Sequence, residues 1–353
     1  MLHAIIPAMR TVLIFILVLA AFISAADSTP PAYPLWDGTE SVAAYAKKIN
    51  IPPTQTLDLG NGVKLDLVLI PAGKFLMGTP EHEKPSVGQT MVGISGAVLF
   101  VALMTLLVRA RRKRIRPQFS MALMLLMTLV ASVGVWGGVR WYEALKHPDD
   151  FPNEHPAHRV TLTQPFYLGK FSVTQEQYQA VIGANPSHFK GKDYPVENVS
   201  WDDAQAFCKK LSEQTKQPVR LPTEAEWEYT CRAGTTTTYY SGDSEADLGR
   251  VAWYDGNTTH PVGQKEANAF GLYDMHGNVW QWCQDWYGED YYGKSVVENP
   301  QGSDRGEYRL LRGGSWHGDP MDCRSALRLG GDPFNRYLVN GFRIVSVPAF
   351  MTP

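Results

Sequence analysis

Apolar positions in this chain follow two rhythms. Three runs, Thr11–Phe22, Met91–Val108 and Phe119–Val139, are apolar almost without a break. Elsewhere the apolar residues come in short periodic sets. Leu65–Ile70 alternates and carries β-branched residues, which predicts a strand. Pro71–Gly73 then reads as a turn and Lys74–Gly78 as a second strand. His158–Thr163 and Pro165–Phe171 read as two more. Residues 37–50 predict a short helix ahead of Pro52-Pro53. Thr174 and Gln177 have capping-box spacing before a helix over Gln175–Val181. Ser200 caps Trp201–Leu211, where apolar residues recur at helical spacing. Thr223–Tyr229 reads as a third short helix. From Cys231 onward the pattern is Gly-rich loop with brief strands.

The long runs carry a different message. Residues 1–26 read as a secretory signal peptide, with Arg10 before an apolar stretch and small residues at Ile23–Ala26; an uncut anchor helix is the alternative. Residues 91–108 and 119–139 are each close to the ~20 residues that cross a bilayer core as a helix. Between them lies the basic segment Arg109–Arg116, which belongs on the cytoplasmic side of a membrane. Trp136, Trp141 and Tyr142 then fall at the opposite interface. A transmembrane hairpin inserted over 85–149 follows as the expectation. It places residues 27–90 and 140–353 together on the extracytoplasmic side, where a signal would also send them. On this reading the membrane is a partner and the main domain lies outside it, in the periplasm or the extracellular space.

Composition narrows the remainder. The net charge of −2 gives no bulk attraction to nucleic acid. Ten Trp, 16 Tyr and 31 Gly favour a turn-rich, aromatic-packed fold over a helical bundle. Cys208, Cys231, Cys283 and Cys323 are an even set, which permits two disulfides in an oxidising compartment. No Ser-His-Asp arrangement, phosphate loop or nucleotide fingerprint stands out.

Several motifs occur together: Leu69-Ile-Pro-Ala-Gly-Lys-Phe-Leu-Met-Gly78, Phe171–Tyr178, Pro195–Ala204, Arg220-Leu-Pro-Thr-Glu-Ala-Glu-Trp-Glu-Tyr229, Asn268–Trp282 with Gly277-Asn-Val-Trp-Gln-Trp282, Arg312-Gly-Gly-Ser-Trp316 and Gly341-Phe-Arg343. In this order they resemble the formylglycine-generating enzyme, or sulfatase-modifying factor, family. The resemblance implies an irregular α+β domain with a C-type-lectin-like core and little regular secondary structure. That domain would occupy 65–84 and 150–348, behind a linker and short helix over 27–64, and the hairpin would interrupt it. In this context Glu224, Glu226 and Glu228 read as scaffold residues, not as an acid–base cluster.

The resemblance also frames the chemistry. Oxidases of the family convert a sulfatase cysteine, in a Cys-x-Pro-x-Arg context, to formylglycine. They use two cysteines after the Gly-Gly-Ser motif, in what resembles a thiolate copper(I) centre consuming dioxygen. Here Gly318 falls near the first of those positions. Cys323, followed by Arg-Ser-Ala326, resembles the family's structural half-cystine, and Cys231 resembles its partner. A Cys231–Cys323 disulfide and no copper are therefore implied, with Cys208 and Cys283 left open. A calcium site is implied at Asp274, Gly277, Val279 and Gln281, where oxygen donors suit a hard cation. A groove is implied at Trp316, His317, Asp319, Asp322, Arg324, Arg328 and Arg336. The expected function is a membrane-tethered module that binds a ligand, an extracytoplasmic protein or a peptide, or an enzyme of unknown chemistry. The alternative is a formylglycine-generating oxidoreductase.

Overall fold

Strand β2 (Lys64–Ile70) sets the layering. The structure, a computed structural model, describes residues 33–80 and 151–347. In β2, Leu65, Leu67 and Leu69 enter one apolar core while Val68 and Ile70 enter another. Successive side chains of a strand point to opposite faces, so β2 is covered on both sides. It pairs antiparallel with β1 (Thr54–Asp58) and with β5 (Phe166–Gly169). The sheet continues to β11 (Val345–Ser346) and β6 (Val219–Arg220), in the order β1-β2-β5-β11-β6. A two-stranded ladder joins β3 (Gly73–Met77) to β4 (His158–Leu162). A four-stranded sheet runs β10-β7-β8-β9, built from β7 (Trp280–Trp286), β8 (Arg309–Arg312), β9 (Leu329–Gly331) and β10 (Asn340–Gly341).

Helices cover these sheets where the capping signals start them. The short helix α1 (Val42–Ile49) begins at Ser41, whose side chain accepts from the Ala44 N–H. Both halves of a capping box form at Thr174 for α2 (Gln175–Ile182) and at Ser200 for α3 (Trp201–Thr215). Tyr178 of α2 stacks on Phe207 of α3 at 5.6 Å, and both meet Phe342. α4 (Glu224–Arg232) starts at Thr223, again with a full box, and all nine of its residues are buried. α5 (Glu245–Val251) is started by a Ser244–Asp247 box that the apolar pattern did not reveal.

These elements form one unit from the described residues up to Gly78 and from Ala157 on. The second unit spans Thr79–Pro156; its described part includes a 3-10 turn at Pro152–Glu154, where Thr79 Oγ1 donates to Glu154 Oε2 at 2.5 Å.

The α+β domain is thus as expected, but the inserted transmembrane hairpin is not supported. Among the described residues no helix is long and apolar enough to cross a membrane. The 15-residue α3 spans only ~22 Å, against the ~30 Å of a hydrocarbon core, and one of its faces is polar. The runs 91–108 and 119–139, and the signal read over 1–26, lie outside the described residues. Membrane localisation is corrected accordingly.

Close packing around Gly277 gives a test. Gly277 sits at φ +71°, and a Cβ there would stand 2.2 Å from the Trp253 carbonyl oxygen. Gly271 has φ +81° but open space around it. Gly271→Ala should cost about 1–2 kcal/mol from left-handed strain alone. Gly277→Ala should cost clearly more, because backbone must move, and urea midpoints of the two variants will check the order.

Candidate functional site

A wholly buried helix made of Glu-Ala-Glu-Trp-Glu-Tyr must find partners for its carboxylates. α4 does so through arginines far away in sequence. Arg328 grips Glu224 with two bonds, Nε to Oε1 at 2.5 Å and Nη2 to Oε2 at 2.9 Å, and its Nη1 donates to Gly288 O. Arg312 pairs with Glu228 through Nη2, and Arg232 reaches the same carboxylate from one turn on, at 2.9 Å. The Gly78 N–H adds a bond at 2.9 Å. Burial alone would raise the Glu228 pKa, but Arg232 and Arg312 outweigh it and hold it below the ordinary value. Glu226 pairs with Arg220 through two 2.7 Å bonds. Glu224, Glu226 and Glu228 are scaffold, as their motif implied. Arg328, expected in the groove, belongs to this interior lattice.

Asp285 of β7 borders the same lattice. Its Oδ2 accepts from the Glu224 N–H at 2.9 Å. Burial, reinforced by Glu224, pushes its pKa up to about 8.

The expected calcium ligands lie around a second guanidinium. Arg343 is fully buried, and burial pushes its pKa down to about 10. Its Nε donates to Gln281 Oε1 at 2.7 Å, and Trp227 Nε1 donates to the same oxygen at 2.8 Å. Gln281 Nε2 in turn donates to Asp274 O. Both lone pairs of the Gln281 oxygen are engaged, so that side chain does not fit as a calcium ligand. The four-residue donor set finds no support. Asp274 Oδ1 is buried without a partner, and Oδ2 accepts from the Gly263 N–H. Burial raises the Asp274 pKa.

The sulfur atoms correct another expectation. All four cysteines are free and buried, so the Cys231–Cys323 disulfide is absent. His276 links the two segments instead. Cys231 Sγ lies 3.8 Å and 3.9 Å from its ring nitrogens, and the Cys323 backbone hydrogen-bonds the same ring. The Tyr240 N–H donates to Nε2 at 3.0 Å. Burial pushes the His276 pKa down to about 3 and the Cys231 thiol up to about 12; the Cys323 thiol is also raised by burial. Cys323 Sγ packs directly under Gly314, where a Cβ would fall 2.6 Å away. A Cβ at Gly318 would fall 2.7 Å from Asp322 Oδ2. The segment after Gly-Gly-Ser therefore presents no thiolate.

Outside this interior lies a surface made by the other expected groove residues. Trp316 is edge-on to Phe189 at 5.4 Å and touches the His317 ring, while its Nε1 donates to Leu338 O at 3.1 Å. His317 and Asp319 are exposed, and Asp322 is half-buried. Asp319 caps the 3-10 turn Pro320–Cys323 by accepting from the Met321 and Asp322 N–H groups. Arg324 is buried, with Nε on Met321 O. Arg336 stands apart on the 332–338 loop, paired with Asp203 by bonds of 2.7 Å and 2.8 Å. That loop exposes Phe334 (71%), Tyr337 (52%) and Leu338 (38%), which the sequence reading missed. A separate concavity, walled by Trp201 and Trp286, contains none of the groove or calcium residues expected from sequence.

Comparison with known proteins agrees with this fold. A family model for the sulfatase-modifying factor enzyme 1-like domain matches residues 127–347, beginning inside the apolar run 119–139. The serine/threonine-protein kinase pkn1 of Chlamydia caviae is 35% identical over 219 residues, 54% of this chain and 34% of the kinase. The chaperone protein LppX of Paenibacillus barcinonensis is 34% identical over 44% of this chain and 71% of the chaperone. The formylglycine-generating enzyme of Streptomyces coelicolor is 39% identical over 43% of this chain and 52% of the enzyme. The chain thus spans about a third of the kinase and about half of the enzyme. Among solved structures, Treponema denticola variable protein 1 superposes with TM-score 0.61 at 27% identity, over 84% of this chain and 100% of that one. PvdO from Pseudomonas aeruginosa, at 24% identity and TM-score 0.58 over 84% and 98%, shares the fold.

Two outcomes follow from the interior lattice. Arg328→Ala leaves Glu224 without its bidentate partner and should destabilise the fold by about 3–5 kcal/mol, read as a shift in urea midpoint. Asp285 gives the second. Its folded pKa is raised, so the folded state holds the proton more tightly than the unfolded chain does. Ionising it is therefore a penalty, absent below the ordinary 3.8 and growing as pH rises toward about 8. Asp285→Asn should gain stability relative to the parent chain between about pH 5 and about pH 8, in paired denaturation curves.

Proposed function

With a family match over more than half its length, this chain belongs to the sulfatase-modifying-factor family, and on that premise we propose that it is a protein- or peptide-binding module without the two-cysteine oxidase centre. One observation carries the reading. The segment after Gly-Gly-Ser holds a single cysteine, Cys323, buried under Gly314 as a neutral thiol, while the surface beside it exposes apolar side chains. Copper(I) oxidation of a substrate thiol depends on accessible soft thiolate donors. Gly318 supplies no sulfur, and Cys323 does not reach the surface. Copper therefore does not fit the residues present.

The binding face lies on the 332–338 loop and Trp316. Phe334, Tyr337 and Leu338 are exposed beside an indole that is itself 9% exposed and fixed by Phe189 and Leu338. Aromatic side chains around a rigid anchor are the usual source of binding energy in protein recognition. The relatives support a role other than oxidation, since a chaperone and a kinase carry related sequence. The oxidase alternative has the 39% identity to the Streptomyces coelicolor enzyme in its favour.

A single preparation tests both. The full chain is loaded with copper(I) and incubated with dioxygen and a Cys-x-Pro-x-Arg peptide. The expected result is no aldehyde and no loss of substrate thiol by mass spectrometry; catalytic aldehyde formation would establish the oxidase instead. In parallel, binding of a reduced, carboxymethylated unfolded protein is measured. Phe334→Ala with Tyr337→Ala should weaken it by about tenfold or more. Equal affinity of this variant and the parent would remove the loop from the reading.

A further inference from the structure

The concavity between Trp201 and Trp286 has a volume of about 540 Å³, within the ~300–1,000 Å³ typical of small-molecule sites. Trp201 is the first residue of α3, and Trp286 is the last of β7. Arg309, which opens β8, lies between their rings. Its guanidinium carbon is 3.8 Å from the Trp201 centroid and 3.4 Å from that of Trp286. Nη1 donates to Gln284 O at 2.7 Å. Nε is buried without a partner. Nη2 is neither buried nor bonded to protein, and Arg309 is one of the residues that line the cleft.

Among the described residues no carboxylate forms an ion pair with Arg309. An arginine held flat by two indoles cannot swing out to find one. Its burial lowers its pKa. An anion meeting Nη2 completes the set, and a carboxylate oxygen there gains a charge-assisted hydrogen bond. The rest of the lining is hydroxyl- and amide-seeking: Gln205, Gln301 and Ser303 stand around the cleft. Two acids share it. Asp285 is buried with its pKa pushed up to about 8, so at neutral pH it offers an O–H donor in place of a repelling charge. Asp304 is exposed.

We propose that this cleft binds a small organic carboxylate that also carries hydroxyl groups, of the chemical class of the sugar acids. Its carboxylate sits on Arg309 Nη2 and its hydroxyls on Gln205, Gln301 and Ser303. The site is separate from the Phe334–Leu338 face and does not rest on the binding-module reading.

Indole fluorescence of the full chain reports occupancy, because Trp201 and Trp286 form the walls. D-Glucuronate and D-galacturonate are titrated against their neutral counterparts, D-glucose and D-galactose, with acetate as a bare carboxylate. Saturable binding of a uronate is expected, with the matched neutral sugar and acetate each weaker by about tenfold or more. Arg309→Gln should abolish the preference for acid. Gln205→Ala, which leaves the stacked arginine in place, should weaken uronate binding several-fold. The Phe334/Tyr337 double variant should bind uronate like the parent. Equal binding of acid and neutral sugar, failure of both uronates to saturate, or an unchanged affinity in a folded Arg309→Gln chain would each overturn the assignment.

Discussion

The fold depends on neutralising a buried row of carboxylates. α4 carries Glu224 and Glu228 into an interior from which water is excluded, and each needs a cation within bonding distance. Arg312 comes from β8, Arg328 from the segment leading into β9, and Arg232 from the end of α4 itself. Tyr292, on the 3-10 turn Tyr291–Lys294, places its hydroxyl 3.1 Å from Glu224 Oε1 and 3.4 Å from Glu228 Oε2. Three separate stretches of chain are thus tied to one short helix. A domain with brief strands and long loops gains from such ties what a regular sheet gains from its ladders.

The same lattice shapes the surface above it. Gly313 and Gly314 both have positive φ and lie against Trp227 and Cys323, with no room for a side chain. The Gly-Gly-Ser turn is therefore pressed onto the α4 core, and Cys323 is pressed beneath it. The outward residues of the following segment are His317, Asp319 and Met321. A reactive sulfur centre and this packing exclude each other at Cys323, and the proposed binding role rests on that.

A guanidinium with an N–H left open is the exception to the pattern. Arg328 and Arg312 are matched by carboxylates, and Arg343 by Gln281 and backbone carbonyls. Arg309 is matched by indole faces and one carbonyl. Indoles stabilise the charge but leave Nη2 without a protein acceptor, in a residue that lines a cleft. Interior arginines hold the fold; this one is placed to meet something from outside.

Local signals determined much of the fold. The Thr174 box and the Ser200 cap started helices where the sequence put them, and the helix read over Thr223–Tyr229 formed behind a box of its own, because capping involves only residues within one turn. Leu65–Ile70 formed a strand for the same local reason. The α5 helix was missed because few apolar residues follow its Ser244 cap, and β7 because burial on both faces erases alternation. The site was less legible. Arg328 and Arg336 look alike in sequence, yet one meets Glu224 across 104 positions inside the core while the other pairs with Asp203 at the surface. The spacing of Cys231 and Cys323 is silent on whether their sulfurs meet, and His276 joins their segments instead. Charge partners, thiol access and the Trp201–Arg309–Trp286 sandwich are fixed by distances between remote segments, and only the tertiary structure decides those distances.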